Sequence, residues 1–414
     1  MRAPMASGYS KERWQNVAYR NISLSALAIY TFSQILFNGG TITRITNSLH
    51  WDSINHVILC SLTCLAILAT MIQNKSFRSA VTLACIASVL IISGCRTLDY
   101  RVIISLLMIY AVHVLDLKEL MRVYAIASLA ALIISMILSI VGFSANVDAI
   151  PNGRIVFSYG FGHPNNTGAI LFSSMVSLAY CIRGNVGSIC VSGLSLAVSG
   201  FCFIALSSRT PAVLCLMLSI YCIIRLALKS HKLRMRIEKV YMLILLGIPI
   251  IISAGMMATV SHYEELIPAS QWMNILTNGR PYHGNHYYQD LGGFTVFGRQ
   301  LVTSYNAHNG ATFWGIDSAF CHLFLVYGVL ATLVLWIIYV GAVCYFNQNG
   351  MPMTVFVIIL FGILYMMTEQ FPLYLYSNSG LLLLVAAFRG PRKQLIPNGH
   401  ADALKPCNSV GDDD

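Results

Sequence analysis

Charge is what this chain has least of. Only 10% of its 414 residues are Asp, Glu, Lys or Arg, against about 25% in soluble domains. That scarcity excludes an ordinary soluble globule, and no nucleic-acid partner is expected. The chain holds twelve Cys but no CxxC pair. Cys60, Cys64, Cys85, Cys202, Cys215 and Cys344 lie inside apolar runs, so they read as small packing residues rather than a disulfide framework or metal site. No internal repeat is visible, which gives inverted-repeat transporter architecture no support. Residues 1–20 are polar and basic, and the first apolar run continues without a small-residue cleavage site. An uncleaved first anchor is expected rather than a removable signal peptide.

Long apolar runs are what the chain has instead. It is 57% hydrophobic with a mean hydropathy of +0.68. Runs of about 17–25 residues, each long enough to cross a bilayer, recur from Ile22 to Phe388. Backbone groups cannot stay unpaired in lipid, and runs of this length favour helices over barrel strands. Twelve spans are predicted near 22–38, 54–73, 79–95, 102–115, 123–143, 167–182, 187–207, 211–228, 240–259, 318–345, 353–368 and 371–388. The expected fold is therefore all-α and polytopic, with about 12 transmembrane helices. One integral membrane domain, 1–388, would carry a long external loop at about 260–317, followed by a polar cytoplasmic tail at 389–414.

Loop cations orient it. With the N-terminus inside, Arg44, Arg96, Arg101, Arg154, Arg209, Arg280 and Arg299 fall outside; the chain has 26 Lys and Arg, so 26 − 7 = 19 remain inside. Both termini are then cytoplasmic, in a multi-pass protein of the cell (inner, cytoplasmic) membrane. The outside cations are all Arg, whose fixed fork of donors matches phosphate or carboxylate geometry. Several on one surface could hold a pyrophosphate; scattered loop charge and head-group contact are the plainer alternative. Arg209 sits in a tight link, Ser207-Ser208-Arg209-Thr210-Pro211. Arg96 and Arg101 flank Asp99, and that trio could equally be a local ion pair.

Polar residues crowd one predicted mouth, Phe161-Gly162-His163-Pro164-Asn165-Asn166-Thr167-Gly168. Pro164 suits a first helical turn, and His163 either caps it or does chemistry. The external loop is rich in aromatics, among them Trp272, Tyr282, Tyr287, Tyr288, Phe297, Tyr305 and Trp314, and holds His262, His283, His286 and His308. Aromatic faces suit sugar rings, though they also suit the membrane interface. His283 and His286 have helical spacing but no third ligand in sequence. Glu369 lies at membrane level, where a carboxylate is expensive. Asp317 is either a functional acid or a helix-capping anion. His113 and His322 lie within spans and read as packing residues.

Four places resemble bacterial polysaccharide polymerases of the Wzy type, in the O-antigen polymerase and ligase superfamily. Arg154 followed by Tyr159-Gly160-Phe161-Gly162-His163-Pro164-Asn165-Asn166-Thr167-Gly168 is similar to the family's His-Pro-Asn opening of a span. Ser208-Arg209-Thr210 is similar to its Ser-Arg-Thr step. Asn278-Gly279-Arg280 with Thr295-Val296-Phe297-Gly298 resembles its external loop, and Asp317-Ser318 leading to Tyr327-Gly328 its next span. Together they cover roughly 150–380.

The resemblance implies a GT-C-like glycosyltransferase with no cofactor, metal or nucleotide sugar. It would polymerise undecaprenyl-diphosphate-linked repeat units on the outer membrane face into exopolysaccharide, capsule or O-antigen. Its partners would be that glycan as donor and acceptor, the bilayer, and other polysaccharide assembly proteins. The residues fit this chemistry. A diphosphate leaving group needs cations, for which Arg209, Arg280 and Arg154 come first, then Arg299 and Arg96, with Asn165 and Asn166 as further substrate contacts. The acceptor hydroxyl needs a base, for which His163, Asp317 and Glu369 are the candidates. An O-antigen-ligase-like enzyme would use the same donor chemistry. A flippase for lipid-linked glycan would predict repeats and more midplane charge.

Overall fold

The computed structural model describes residues 6–39, 57, 60–64, 67, 77–144, 147–150, 154–161, 163–182, 184–227, 231–265, 267–277, 279–300 and 316–389. The predicted span at 54–73, most of the tail, and loop residues 301–315 with Tyr305, His308 and Trp314 fall largely or wholly outside this set.

Helices α1 (Ala6–Gln34), α2 (Phe77–Thr97), α3 (Arg101–Ala111) and α4 (Leu117–Ile140) come first. A short antiparallel ribbon follows, β1 (Val147–Ile150) against β2 (Arg154–Phe157). Then come α5 (Pro164–Cys181), α6 (Asn185–Ile204), α7 (Arg209–Ala227) and α8 (His231–Ser261). The expected external loop is itself partly helical, as α9 (Ile267–Thr277) and α10 (Arg280–Asp290). The chain continues as α11 (Ala319–His322) with a π turn (Leu323–Tyr327), α12 (Val329–Gln348) and α13 (Met353–Thr368).

Leu117–Ile140, Asn185–Ile204, Arg209–Leu226, Tyr241–Ser261 and Val329–Gln348 are long and apolar enough to cross a membrane. Their faces are arranged for lipid. On α4, Ile126, Ile133, Ile137 and Ile140 are exposed while Tyr124, Ser128, Ala131 and Ser135 are buried. Hydroxyls turn inward and branched alkyl groups outward, the reverse of a soluble helix. Serines join neighbouring helices: Ser192 meets Ser219 at 2.8 Å between α6 and α7, and Ser128 meets Ser174 at 2.8 Å between α4 and α5. Gly168 lets α5 approach α7, because a Cβ there would lie 2.7 Å from Pro211 Cγ. The protein is helical and membrane-embedded.

Two predicted spans take other forms. The apolar run 318–345 is divided at Gly328, whose φ of 88° is open to glycine. There the chain crosses the segment around Gly298, φ 79°. The Arg299 amide donates to the Val326 carbonyl at 2.9 Å, and the Val329 and Leu330 amides donate to Thr295 and Val296 at 2.9 and 3.0 Å. Backbone groups freed by the break are thereby paired, as lipid requires. A methyl at Gly298 would collide with the Val326 carbonyl oxygen, and one at Gly328 with the Gly298 amide. Gly328→Ala should therefore sharply lower the yield of monodisperse protein on fluorescence-detected gel filtration. Gly247→Ala, in open space on α8, should leave it unchanged.

The run 371–388 is not an α-helix but three 3₁₀ segments, Phe371–Leu373, Leu375–Ser377 and Ser379–Phe388. Pro372 lacks an amide, and Asn378 Oδ1 takes the Gly380 amide at 3.0 Å while its Nδ2 donates to the Pro372 carbonyl at 2.8 Å. Such side chains compete with the helical ladder. The segment is tied inward by Tyr124 donating to the Tyr376 carbonyl at 2.8 Å and Ser379 donating to the Ser173 carbonyl at 2.9 Å.

Arginines close helix ends elsewhere in the bundle. Arg225 donates to the Ala179 and Ile182 carbonyls at 3.1 and 3.2 Å, and Arg389 to the carbonyls of His113 and Leu115. Cations on terminal carbonyls complement the helix dipole.

Candidate functional site

The His163-Pro164-Asn165 stretch opens α5. His163 has extended backbone (φ −140°, ψ 134°), and its Nδ1 accepts the Asn165 amide at 3.2 Å. Pro164 fills the position where no amide partner is needed. His163 is exposed, and its ring lies 6.4 Å from that of Phe371. Capping is thus its visible role. The next residue is the hub instead. Asn165 Nδ2 donates to Glu369 Oε1 at 2.8 Å, and its Oδ1 accepts from the Ser208 hydroxyl at 2.7 Å. That amide orientation is the one that points a donor at a carboxylate.

Arg280 reaches the same carboxylate from α10. Gly279, with φ 82°, turns the chain so that Arg280 starts the helix. Its guanidinium has three partners: Nε donates to the Thr368 carbonyl at 2.9 Å, Nη1 to Asp317 Oδ2 at 2.5 Å, and Nη2 lies 3.4 Å from Glu369 Oε1. The Thr368 carbonyl ends α13, where the helix dipole is negative, so a cation belongs there. Thr210 on α7 meets Thr368 at 3.3 Å, completing a ring drawn from α5, α7, α10, the start of α11 and the end of α13.

Electrostatics single out Glu369, just past the end of α13. It is 3% exposed. Burial pushes its carboxyl up to about 8, against the lowering effect of Arg280, while the Asp317 charge pushes the same way as burial. Both hydrogen bonds fall on Oε1, and Oε2 makes none among the described residues. Asp317 is far more open, its side chain 43% exposed. An acid poised near neutral pH, a bonded arginine and an accessible second acid can move a proton and hold an anion at one place.

The structure therefore brings together Asn165, Arg280, Asp317 and Glu369, with His163 at the cap. Arg209 is exposed at the start of α7, next to Ser208, and has no ion pair among the described residues. Arg299 is half-buried in the Gly298–Gly328 crossing, and Arg96 is exposed near the end of α2. Asn166 is buried inside α5 rather than facing the mouth. The Arg154 side chain and Gly162 lie outside the described residues. The Arg96–Asp99–Arg101 trio resolves into an Asp99–Arg101 ion pair at 2.7 Å. Ser208 and Thr368 were missed as site residues. Ser208 had a signal in the Ser-Arg-Thr step, whereas Thr368 enters through a carbonyl that any residue would supply. His283 and His286 pack on Tyr282, with ring centroids 5.6 and 4.4 Å away.

An apolar cavity of about 110 Å³ is lined among others by Val102, Phe320, Leu323, Met366, Leu373 and Leu384. Met366 and Leu373 flank Thr368 and Glu369 along the chain, and Phe320 is one turn past Asp317. The chain matches no family model, and no curated protein and no solved structure is significantly similar to it.

Proposed function

We propose that this protein is a membrane glycosyltransferase that polymerises undecaprenyl-diphosphate-linked repeat units on the outer face of the cell membrane. The observation that carries this reading is the meeting of Asn165, Arg280, Asp317 and Glu369 at one place, with an apolar cavity lined by residues close to them in sequence. In this reading both termini are cytoplasmic and the fold is GT-C-like. Arg280 and the exposed Arg209 hold the diphosphate, and the cavity takes part of the prenyl chain. Glu369 Oε2 receives the proton of the acceptor hydroxyl. As that oxygen bonds to the donor's anomeric carbon, the bond from this carbon to the diphosphate breaks. The leaving diphosphate keeps the electron pair, and Arg side chains stabilise its charge. Asn165 and Ser208 fix the rotamer of the base.

The pH dependence follows with a definite sign. Glu369 must be ionised to accept a proton, so kcat/KM should fall as pH drops below about 8. Asp317→Asn removes a negative neighbour that raises the Glu369 value, so the acid limb should move to lower pH. Rate profiles between about pH 6 and 9 check this; a limb that stays in place in Asp317→Asn contradicts the role given to Glu369. In cells, deletion should leave single-repeat glycans where polymer stood. Polymer that still forms but is no longer attached to its final acceptor would instead identify a ligase.

A further inference from the structure

Helix α9 turns hydroxyls inward and its largest apolar side chain outward. Ser270 and Thr277 are buried, at 0% and 1% exposure, whereas Trp272 is 69% exposed and Ile275 74%. Trp272 and Ile275 are three residues apart and share one helix face, while Ser270, Met273, Asn274 and Thr277 follow the other. This is the inversion seen on α4, the reverse of a helix in water. Single exposed apolar side chains are ordinary on any surface, but a Trp and an Ile on one face, backed by buried hydroxyls, form a pattern. The helix carries no charged residue, and its 11 residues measure about 16 Å, too short to cross a bilayer core of about 30 Å.

The contacts of the inner face fix where α9 lies. Tyr263 is two residues past Ser261, where α8 ends. Its carbonyl accepts from the Ser270 hydroxyl at 3.2 Å, and its hydroxyl accepts from Asn274 Nδ2 at 2.6 Å. Met273 packs against the cluster that holds Met256 and Val260 of α8 and Tyr287 of α10. Tyr241–Ser261 is long and apolar enough to cross a membrane, so these ties hold α9 at the level where α8 leaves the bilayer. At that level an uncharged helix with Trp on its open face suits the lipid interface, where the amphipathic indole is favoured.

We propose that α9 is an interfacial anchor, lying in the membrane surface at the end of α8 with Trp272 and Ile275 set among lipid headgroups and upper acyl chains. Lipid is the occupant because it already surrounds α8 at this height. The anchor also sets the height of Arg280. The Asn274 carbonyl accepts the Gly279 amide at 2.8 Å, and Asn274 Oδ1 accepts the Tyr282 amide at 3.1 Å, so the start of α10 is joined to α9. The proposal is independent of the reaction assigned to the protein.

The test uses the full chain in lipid nanodiscs with its five Trp replaced biosynthetically by fluorotryptophan and read by fluorine NMR. The line lost in Trp272→Phe is that of Trp272. Two paramagnetic reagents are compared: phosphatidylcholine spin-labelled just below the headgroup, and a gadolinium chelate confined to water. The Trp272 line should lose more intensity to the labelled lipid than to the chelate. Ile275→Asp puts a charge on the same face and should shift that loss from the lipid toward the chelate. Its melting temperature should stay close to wild type, because Ile275 is 74% exposed. A wild-type loss to the chelate as great as or greater than that to the lipid would place α9 in water and overturn the proposal. Loss to neither reagent would put protein over this face, such as a second copy of the chain, and would overturn it equally. An Ile275→Asp variant whose Trp272 line responds as in wild type would contradict the shared face.

Discussion

Glu369→Gln should lower polymerisation by about 10²–10⁴-fold, the range expected when a general base is removed, with protein level and melting temperature close to wild type. The substitution keeps shape and keeps an oxygen to accept from Asn165 Nδ2, now at 2.8 Å from Oε1. What it removes is the proton acceptor. A buried carboxylate is costly, so neutralising it need not destabilise the fold. His163→Ala gives the contrast. It deletes an N-cap acceptor, which costs about 1 kcal/mol of stability, and it should reduce activity far less than Glu369→Gln does. Initial rates of product chain growth in purified variants, with melting curves alongside, measure both. Full activity in Glu369→Gln with a dead His163→Ala would move the base to His163.

Arg280→Ala should be the second large loss, about 10²–10³-fold in kcat as for removal of one donor to a developing anion. It should also abolish pyrophosphate binding. One guanidinium serves the Thr368 carbonyl, Asp317 and Glu369 at once, so its deletion leaves two acids facing each other without their cation. Glu369 would then hold its proton more tightly, and the acid limb should move to higher pH. Arg280→Lys should rescue poorly, because an ammonium is a point charge without the planar fork. Isothermal titration with pyrophosphate and the pH profile of each variant check these outcomes. Undiminished pyrophosphate binding in Arg280→Ala would remove Arg280 from the diphosphate site.

Much of the site was legible and its wiring was not. His163-Pro164-Asn165 stood out because a span has no use for such residues, yet Asn165 rather than His163 is the hub. Which of them turns inward depends on the helix start, where the His163 ring is spent on the Asn165 amide. Arg280 and Glu369 were both named, but they are 89 residues apart and only packing pairs them. The apolar run 318–345 reads as unbroken because hydropathy cannot register a backbone crossing made by Gly298, far upstream. In 371–388 the local cues were present in Pro372, Ser377 and Asn378, and the apolar content outweighed them. His322 read as a packing residue. Its burial was foreseeable; that neither ring nitrogen has a hydrogen-bond partner among the described residues was not.

The central claim is that this mouth transfers glycan chains from lipid diphosphate. It is tested most directly by purified protein in liposomes, given undecaprenyl-diphosphate-linked repeat units and no other enzyme, with products resolved on a gel. A ladder spaced by one repeat, one undecaprenyl diphosphate released per bond formed, and no ladder from Glu369→Gln is the predicted result. A preparation that binds the lipid-linked repeat yet makes no ladder, or an equal ladder from Glu369→Gln, would contradict it.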